Sequence, residues 1–327
     1  MATDSQSDGP TRTVETGRPI RTATVPVREG RMIEDARVLR EGFVPNDAIH
    51  RDAEVNALSR TLDPITRGEP AEPALITGPS GVGKTTVARF VVEQLQQATL
   101  DLAAVHVNCW QAHSRFKTVY EILDQLGRTV DVHRRSTPYD ELLDRLAAVE
   151  GPPVVVTLDE VDQLEDTRVV YDLYQLSGYS TTLITNDETA FLSSLDGRVH
   201  SRLAAAETVA FDPYTVSELV DILAARVDHG LVPGAITDTQ LRRIADAAAG
   251  DARVALSILR SGARRAEYDG RDRITDADVA AAVPEGRRAV RTKNLEALRP
   301  AQRELFELLV ECGEIAPGAL YDRYVDR

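Results

Sequence analysis

From residue 73 to residue 211 the chain alternates short, almost wholly apolar runs with longer stretches in which apolar residues recur every three or four positions. The short runs are "PALIT" (73–77), "AAVHVN" (103–108), "PVVVTL" (153–158), "TTLIT" (181–185) and "ETVAF" (207–211). Their length, β-branching and lack of a polar face suit strands buried on both sides of a parallel sheet. The stretches between them predict helices on the two faces, so this half reads as an α/β domain built on a five-stranded parallel sheet. After residue 211 the strand signal stops. Leu219, Ile222, Leu223 and Val227, then Leu241, Ile244, Ala245 and Ala248, keep helical spacing, and residues 212–284 read as an all-helical domain. The polar, Pro- and Gly-bearing "PEGRRAVRTKN" predicts a linker over 285–294. Two short helical segments within 295–327 follow, parted between Gly313 and Pro317.

The first 30 residues, rich in Thr, Ser, Gly, Pro and Arg, carry no apolar period and predict a disordered tail, which leaves 31–211 as the α/β unit. A chain of 327 residues suits two or three domains, each with its own core. Charge adds more. There are 52 acidic against 38 basic residues, a net −14, and only Lys84, Lys117 and Lys293 are lysines; the other 35 basic residues are arginines. Such a surface fits adaptation to a salt-rich cytoplasm, although a GC-rich genome also favours arginine over lysine. It repels DNA as a whole, so any nucleic acid must meet local basic patches. Cys109 and Cys312 lie far apart without metal-ligand spacing, and no run approaches the roughly 18 to 20 apolar residues of a membrane span. The expectation is a soluble, cytoplasmic protein without a membrane partner.

The chemistry begins at "LITGPSGVGKTTVARF" (75–90), where Gly78, Gly83, Lys84 and Thr85 fit the G-x-x-x-x-G-K-[ST] pattern between a strand and a helix. Residues Gly78, Pro79, Ser80, Gly81, Val82 and Gly83 predict a loop whose backbone N–H groups face phosphate oxygens, with the positive end of the following helix behind them. Lys84 is expected on the β- and γ-phosphates of ATP, Thr85 on Mg²⁺, and Thr86 in the same nucleotide-binding turn. Hydrolysis needs an acidic pair at a neighbouring strand end, and "VVVTLDE" supplies it: Asp159 for the metal, directly or through its water, and Glu160 as general base. Asn186, after the strand "TTLIT", can hold the attacking water. Arg198 and Arg202 in "GRVHSRL" can reach a neighbouring subunit's γ-phosphate, the sequence leaving the choice between them open. Arg253, opening a helix of the second domain, can fold over the same nucleotide and couple interdomain angle to phosphate state.

These residues, in this order, resemble the AAA+ ATPases. The segments "FVPNDAIHRDAEVNALSRTLDPITRG", "VNCWQAHSRFKTVYEILDQLG", "LDEVDQL", "ITND", "GRVHSRL", "FDPYT" and "GDARVALSILR" narrow the resemblance to the Orc1/Cdc6 family of archaeal replication initiators, from about residue 32 to the C-terminus. The resemblance implies a RecA-like αβα core, a helical lid, and a winged-helix domain that binds origin DNA. It also implies that Val44, Pro45, His50 and Arg51 pack around the adenine. A winged helix needs on the order of 70 to 80 residues, with a third helix in the major groove. The segment 295–327 holds only its first two helices, so a partial winged-helix remnant is expected.

Within 109–150, Phe116, Val119, Tyr120, Leu123 and Leu126 form one helical stripe, and Leu142, Leu143 and Leu146 another that starts at Thr137 (N-cap) and Pro138. Arg115, Lys117, Arg128, His133, Arg134 and Arg135 are expected on turns and exposed faces around these stripes. This region resembles the family's initiator-specific motif, which implies that Arg115, Lys117, Arg134 and Arg135 approach double-stranded DNA. The expected function is an ATP-dependent replication initiator of low turnover, using ATP/ADP and Mg²⁺ and working with other initiator subunits or the replicative helicase. The alternative is a nucleotide-binding paralogue that docks with full-length initiators without recognising origins.

Overall fold

A computed structural model describes residues 32–326 except Asn46, Leu100, Asp131, Arg134, Arg135, Ala204, Ala205, Ala297 and Arg299. The tail expected over 1–30 lies outside the described residues. Helix α1 (Asp52–Leu62) leads to β1 (Ala74–Thr77), α2 (Lys84–Ala98), β2 (Ala103–Asn108), α3 (Arg115–Gln125), α4 (Tyr139–Ala147) and β3 (Val154–Asp159). Next come α5 (Arg168–Tyr174), β4 (Tyr179–Ile184), α6 (Glu188–Ser194), α7 (Gly197–Leu203) and β5 (Glu207–Ala210).

The five strands form one parallel sheet in the order β2-β3-β4-β1-β5. All five expected strands are present, β2 with the expected bounds and the others with one or both ends shifted by one or two residues. Helices α1 and α2 cover one face, where Ile76, Val155 and Val209 meet Leu58, Val87 and Val91. The other face packs Val105, Val107, Val156 and Leu158 against Val119, Leu123, Leu142 and Val169 of α3, α4 and α5. Helix α4 begins one residue later than its sequence suggests: Pro138 is the N-cap, while the Thr137 hydroxyl accepts from the His133 backbone N–H.

The crossover from β1 to the β2 edge and back matters for function. It aligns the C-terminal ends of β1, β3 and β4 side by side, with Asn108 opposite Asp159 and both Asp159 and Ile76 in register with Ile184. In open parallel sheets this is the edge at which ligands bind.

The second domain is helical: α8 (Val216–Gly230), α9 (Asp238–Ala248), α10 (Ala252–Tyr268) and α11 (Asp276–Glu296). Thr215 with Glu218 and Thr237 with Gln240 form capping boxes, and the Asp251 side chain caps α10 through the Arg253 and Val254 amides. Two features depart from the sequence reading. First, Met32, Ile33 and Leu39, assigned to the α/β unit, belong to the lid's core. Ile33 forms an antiparallel bridge with Leu231, the Glu34 N–H donates to the Gly230 carbonyl, and the Val232 N–H donates to Met32.

Second, residues 285–294 are no linker but the continuation of α11. The "PEG" punctuation misleads because Gly286 serves close packing. A Cβ there would lie 2.6 Å from Ile258 Cγ1 and 2.8 Å from the Ile258 backbone nitrogen, so the missing side chain is what lets α11 lie on α10. The Arg287 guanidinium then donates to the Ala247 carbonyl at the end of α9, and Val290 is buried. Helices α12 (Pro300–Cys312) and α13 (Pro317–Val325) pack on each other. Leu308 is buried, whereas Phe306, Leu309, Val310, Tyr321 and Val325 are exposed. Among the described residues no helix is long and apolar enough to cross a membrane.

Candidate functional site

The loop between β1 and α2 is folded as the glycine pattern requires. Gly78 and Gly81 have φ of 139° and 82°, open to glycine and costly for other residues. A Cβ on Gly78 would sit 2.3 Å from the Phe211 carbonyl oxygen, and one on Gly81 would fall 2.0 Å from the Asp251 carboxylate. The loop is thus wedged between the end of β5 and the cap of a lid helix. Lys84, the first residue of α2, is buried. Its Nζ donates to the Gly78 and Pro79 carbonyls at 2.6 and 2.7 Å and to Asn186 Oδ1 at 3.0 Å. Burial pulls this ammonium down to about 8, the nearby Arg253 adding to the effect and Asp159 opposing it.

Asp159 ends β3 almost fully buried, and its Oδ2 accepts from the Thr85 hydroxyl at 2.8 Å. His106 Nε2 stands 3.5 Å from the same oxygen. A hydroxyl and a carboxylate converging beside a phosphate loop are the hard oxygen donors Mg²⁺ prefers, with phosphate and water supplying its remaining ligands. Glu160 turns the chain at φ 58°, uncommon for a residue with a side chain. Asn108 Nδ2 donates to its Oε2 at 3.3 Å. Burial and then the Asp159 charge push the Glu160 carboxyl above its ordinary value, the direction a general base needs.

The lid closes directly on this loop. The amide of Ala252, at the start of α10, donates to the Gly81 carbonyl at 3.0 Å, and the Arg253 guanidinium hydrogen-bonds the Ser80 hydroxyl. A cavity of about 1410 Å³ runs from Glu160, Asn186 and Thr85, under Arg253, to walls formed by Val38, Val44, Pro45, Ile222, Arg226 and Leu256. It exceeds the roughly 300 to 1,000 Å³ of typical ligand pockets.

Val44, Pro45 and Arg51 line this cavity, along with Ser80, Gly81, Gly83, Lys84, Thr85 and Thr86. Val82 is buried behind the loop. Two base-pocket expectations change. His50 is absent from the lining, and its Nε2 meets Asp221 of α8 at 2.8 Å. Arg51 is a tie as much as a wall: it pairs with Glu54 at 2.9 Å, donates to the Asp212 carbonyl at 2.7 Å, and lies 4.0 Å over the Tyr214 ring.

Arg198 and Arg202 lie on α7 and do not line the cavity. Both are exposed, and the Arg202 guanidinium also stacks over Tyr174 and Tyr171 at 4.8 and 5.4 Å. Arg115 is not on an exposed face. It pairs with Asp172 of α5 at 2.6 Å and lies 4.2 Å over Tyr139, because α5 and α4 pack beside α3. Lys117 is exposed, 3.1 Å from His113 Nε2; Arg134 and Arg135 lie outside the described residues.

Asn108, His106, Tyr214 and Arg226 join the site without having been flagged by the sequence. Asn108 was findable, as a polar strand end beside the acidic pair. Arg226 carries no such signal, since its neighbours along the chain read as an ordinary helix.

Residues 48–184 match the family model described as an AAA ATPase domain, and residues 220–283 match the Cdc6 AAA+ ATPase-type lid domain. The chain is similar to ORC1-type DNA replication protein 9 of Halobacterium salinarum, 51% identical over 293 residues that cover 90% of this chain and 83% of the relative. Among solved structures it resembles the Aeropyrum pernix ORC1 protein in complex with DNA, with 28% identity and a TM-score of 0.73 over 91% of this chain and 82% of that one. It also resembles the Aeropyrum pernix ORC2 protein in ADPNP-ADP complexes, with 27% identity and a TM-score of 0.68 over 90% and 83% of the two chains.

Proposed function

The chain belongs to the Orc1/Cdc6 family of AAA+ replication proteins, and from that premise we propose that it is an ATP-dependent initiator whose nucleotide state sets its grip on double-stranded DNA. The observation that carries this reading is the seam between lid and phosphate loop. Arg253 and the Ala252 amide reach Ser80 and Gly81, so whatever occupies the loop bears on the lid angle.

In this reading Lys84 exchanges the Gly78 and Pro79 carbonyls for β- and γ-phosphate oxygens. Thr85 and Asp159 hold Mg²⁺, which supplies charge neutralisation to the phosphates when bound. Asn186 and Glu160 position a water in line with the γ-phosphate, and Glu160 takes its proton as the bond to the leaving ADP breaks. Asn108 steadies the Glu160 carboxylate. Turnover is slow because hydrolysis serves as a timer. Arg198 or Arg202 acts on a neighbouring subunit's nucleotide.

DNA is met by the segment between β2 and β3, through Lys117, Arg134 and Arg135. Arg115 supports this segment from inside. The DNA complex of the Aeropyrum pernix relative supports this partner, and other initiator subunits or the replicative helicase complete the assembly. The Halobacterium relative fits the acidic, arginine-for-lysine composition of a protein working in concentrated salt. There, plain phosphate contacts weaken steeply, which favours arginine and shape readout. Binding of labelled origin and scrambled duplexes at molar salt, with ATP and with ADP, tests the proposal. ATP-dependent preference for the origin is expected. Equal binding in both nucleotide states removes the switch, and no origin preference favours a docking paralogue.

A further inference from the structure

Arg226 of α8 is buried among apolar walls, and burial alone pulls its guanidinium below the ordinary value. Among the described residues no carboxylate pairs with it. A buried cation without a counter-charge is costly, so what it touches matters. Its Nη1 and Nη2 each donate over 3.2 Å, to the carbonyls of Val38 and Phe43, and its guanidinium lies 4.7 Å over the Phe43 ring. Those two carbonyls bracket the turn that leads into Val44 and Pro45. One arginine fork therefore fixes both ends of the turn to the lid, a geometry a lysine point charge cannot reproduce.

The other ties of this N-terminal strap point the same way. Met32, Ile33 and Leu39 sit in the lid core, the Glu34 and Asp35 amides both reach the Gly230 carbonyl, and His50 pairs with Asp221. Attachment to the α/β core begins at Ala48, buried with Leu58 and Leu62 in the cluster under α1, and continues through α1 after His50 at φ 61°. The strap thus passes from lid to core over Ala48–Arg51, far upstream of α8. The walls at the base end of the cavity ride on the lid, and the phosphate loop rides on the core.

Building on the nucleotide reading above, we propose that Arg226 is a positioning residue for base recognition: by clamping the 38–43 turn to α8 it makes base binding and lid closure one equilibrium. It touches neither phosphate nor metal in this role. Loss of two buried hydrogen bonds should show as loss of affinity for a ligand with a base and should spare a ligand without one.

The test is calorimetric titration of the full chain and of Arg226→Met and Arg226→Lys with ATP and with inorganic tripolyphosphate, both with Mg²⁺. In Arg226→Met the ATP affinity should fall about tenfold or more. Tripolyphosphate affinity should stay within about twofold, so that the loss falls on the ligand that carries a base. Arg226→Lys should recover part of the loss. Equal losses for both ligands, or no loss for ATP, overturn the inference. Should Arg226→Met fail to fold, Phe43→Leu, which removes only the stacked ring, must show a smaller loss with the same preference. A wild-type chain that binds tripolyphosphate and ATP equally well also overturns it. A wild-type chain that binds neither removes the nucleotide reading itself, a distinct result.

Discussion

At the proposed phosphate end of the cavity one continuous turn contributes Ser80, Gly81, Gly83, Lys84 and Thr85 to the lining, whereas the proposed base end is assembled from Val38, Val44, Ile222 and Leu256, far apart along the chain. The first is local and largely backbone, held by β5 behind and a helix cap above. The second exists only when strap and lid are packed together. On the proposed reading, phosphate affinity is a property of the core, and base affinity is a property of how the domains sit.

The largest effect that bears on this contrast concerns chemistry at the phosphate end. Glu160→Gln should lower hydrolysis by about a hundredfold or more, the usual worth of a general base, while ATP still binds. Single-turnover release of phosphate measures it, and an unchanged rate takes the base role from Glu160. Lys84→Ala comes next. It should weaken ATP and tripolyphosphate alike by roughly 10- to 100-fold, as the loss of charge-assisted hydrogen bonds predicts. A loss confined to ATP would erase the difference between the two ends.

Gly81→Ala sits where the two ends touch. Its Cβ would overlap the Asp251 carboxylate, which caps α10, so lid and loop must part. Nucleotide affinity should drop about tenfold, with a cost of about 1 to 3 kcal/mol from the left-handed backbone. Calorimetry with thermal melting separates the two losses.

Acidity gives a gentler probe. Burial holds Lys84 near 8, and a bound triphosphate favours its protonated form. Affinity should be flat below neutrality and fall as pH rises through about 8, with proton uptake on binding. Heats measured in buffers of different ionisation enthalpy reveal that uptake; affinity that rises with pH contradicts it. The smallest effect is expected from Asn108→Ala. Its hydrogen bond favours the charged Glu160, so removing it should raise the Glu160 carboxyl further and shift the acidic limb of the pH–rate profile upward.

The same contrast explains how far the sequence could be read. Local chemistry was legible: Lys84, Thr85, Asp159, Glu160, Asn186 and Arg253 meet where strand ends and spacing put them, and all five strands form. Readings failed where a residue's meaning depends on distant partners. Arg115 has the composition of a surface contact until Asp172 and Tyr139 fold against it. His50 faces Asp221 of α8, and the 32–39 segment joins the lid, because partners nearly 200 residues away decide both. Gly286 looks like a break until Ile258 is placed beside it. Arg226 is silent for the same reason.

Helix α11 has a reach that its place in the lid does not advertise. Its 21 residues make a rod of about 30 Å, pinned near its middle by Gly286 on Ile258 and Arg287 on α9, with its C-terminal half leading on to α12 and α13. A tilt of a few degrees at the pivot becomes about an ångström of sweep at the end of the roughly 15 Å arm beyond it. Whatever docks on the exposed Phe306, Leu309 and Val310 face would be moved by a lever whose fulcrum is the bare backbone of one glycine.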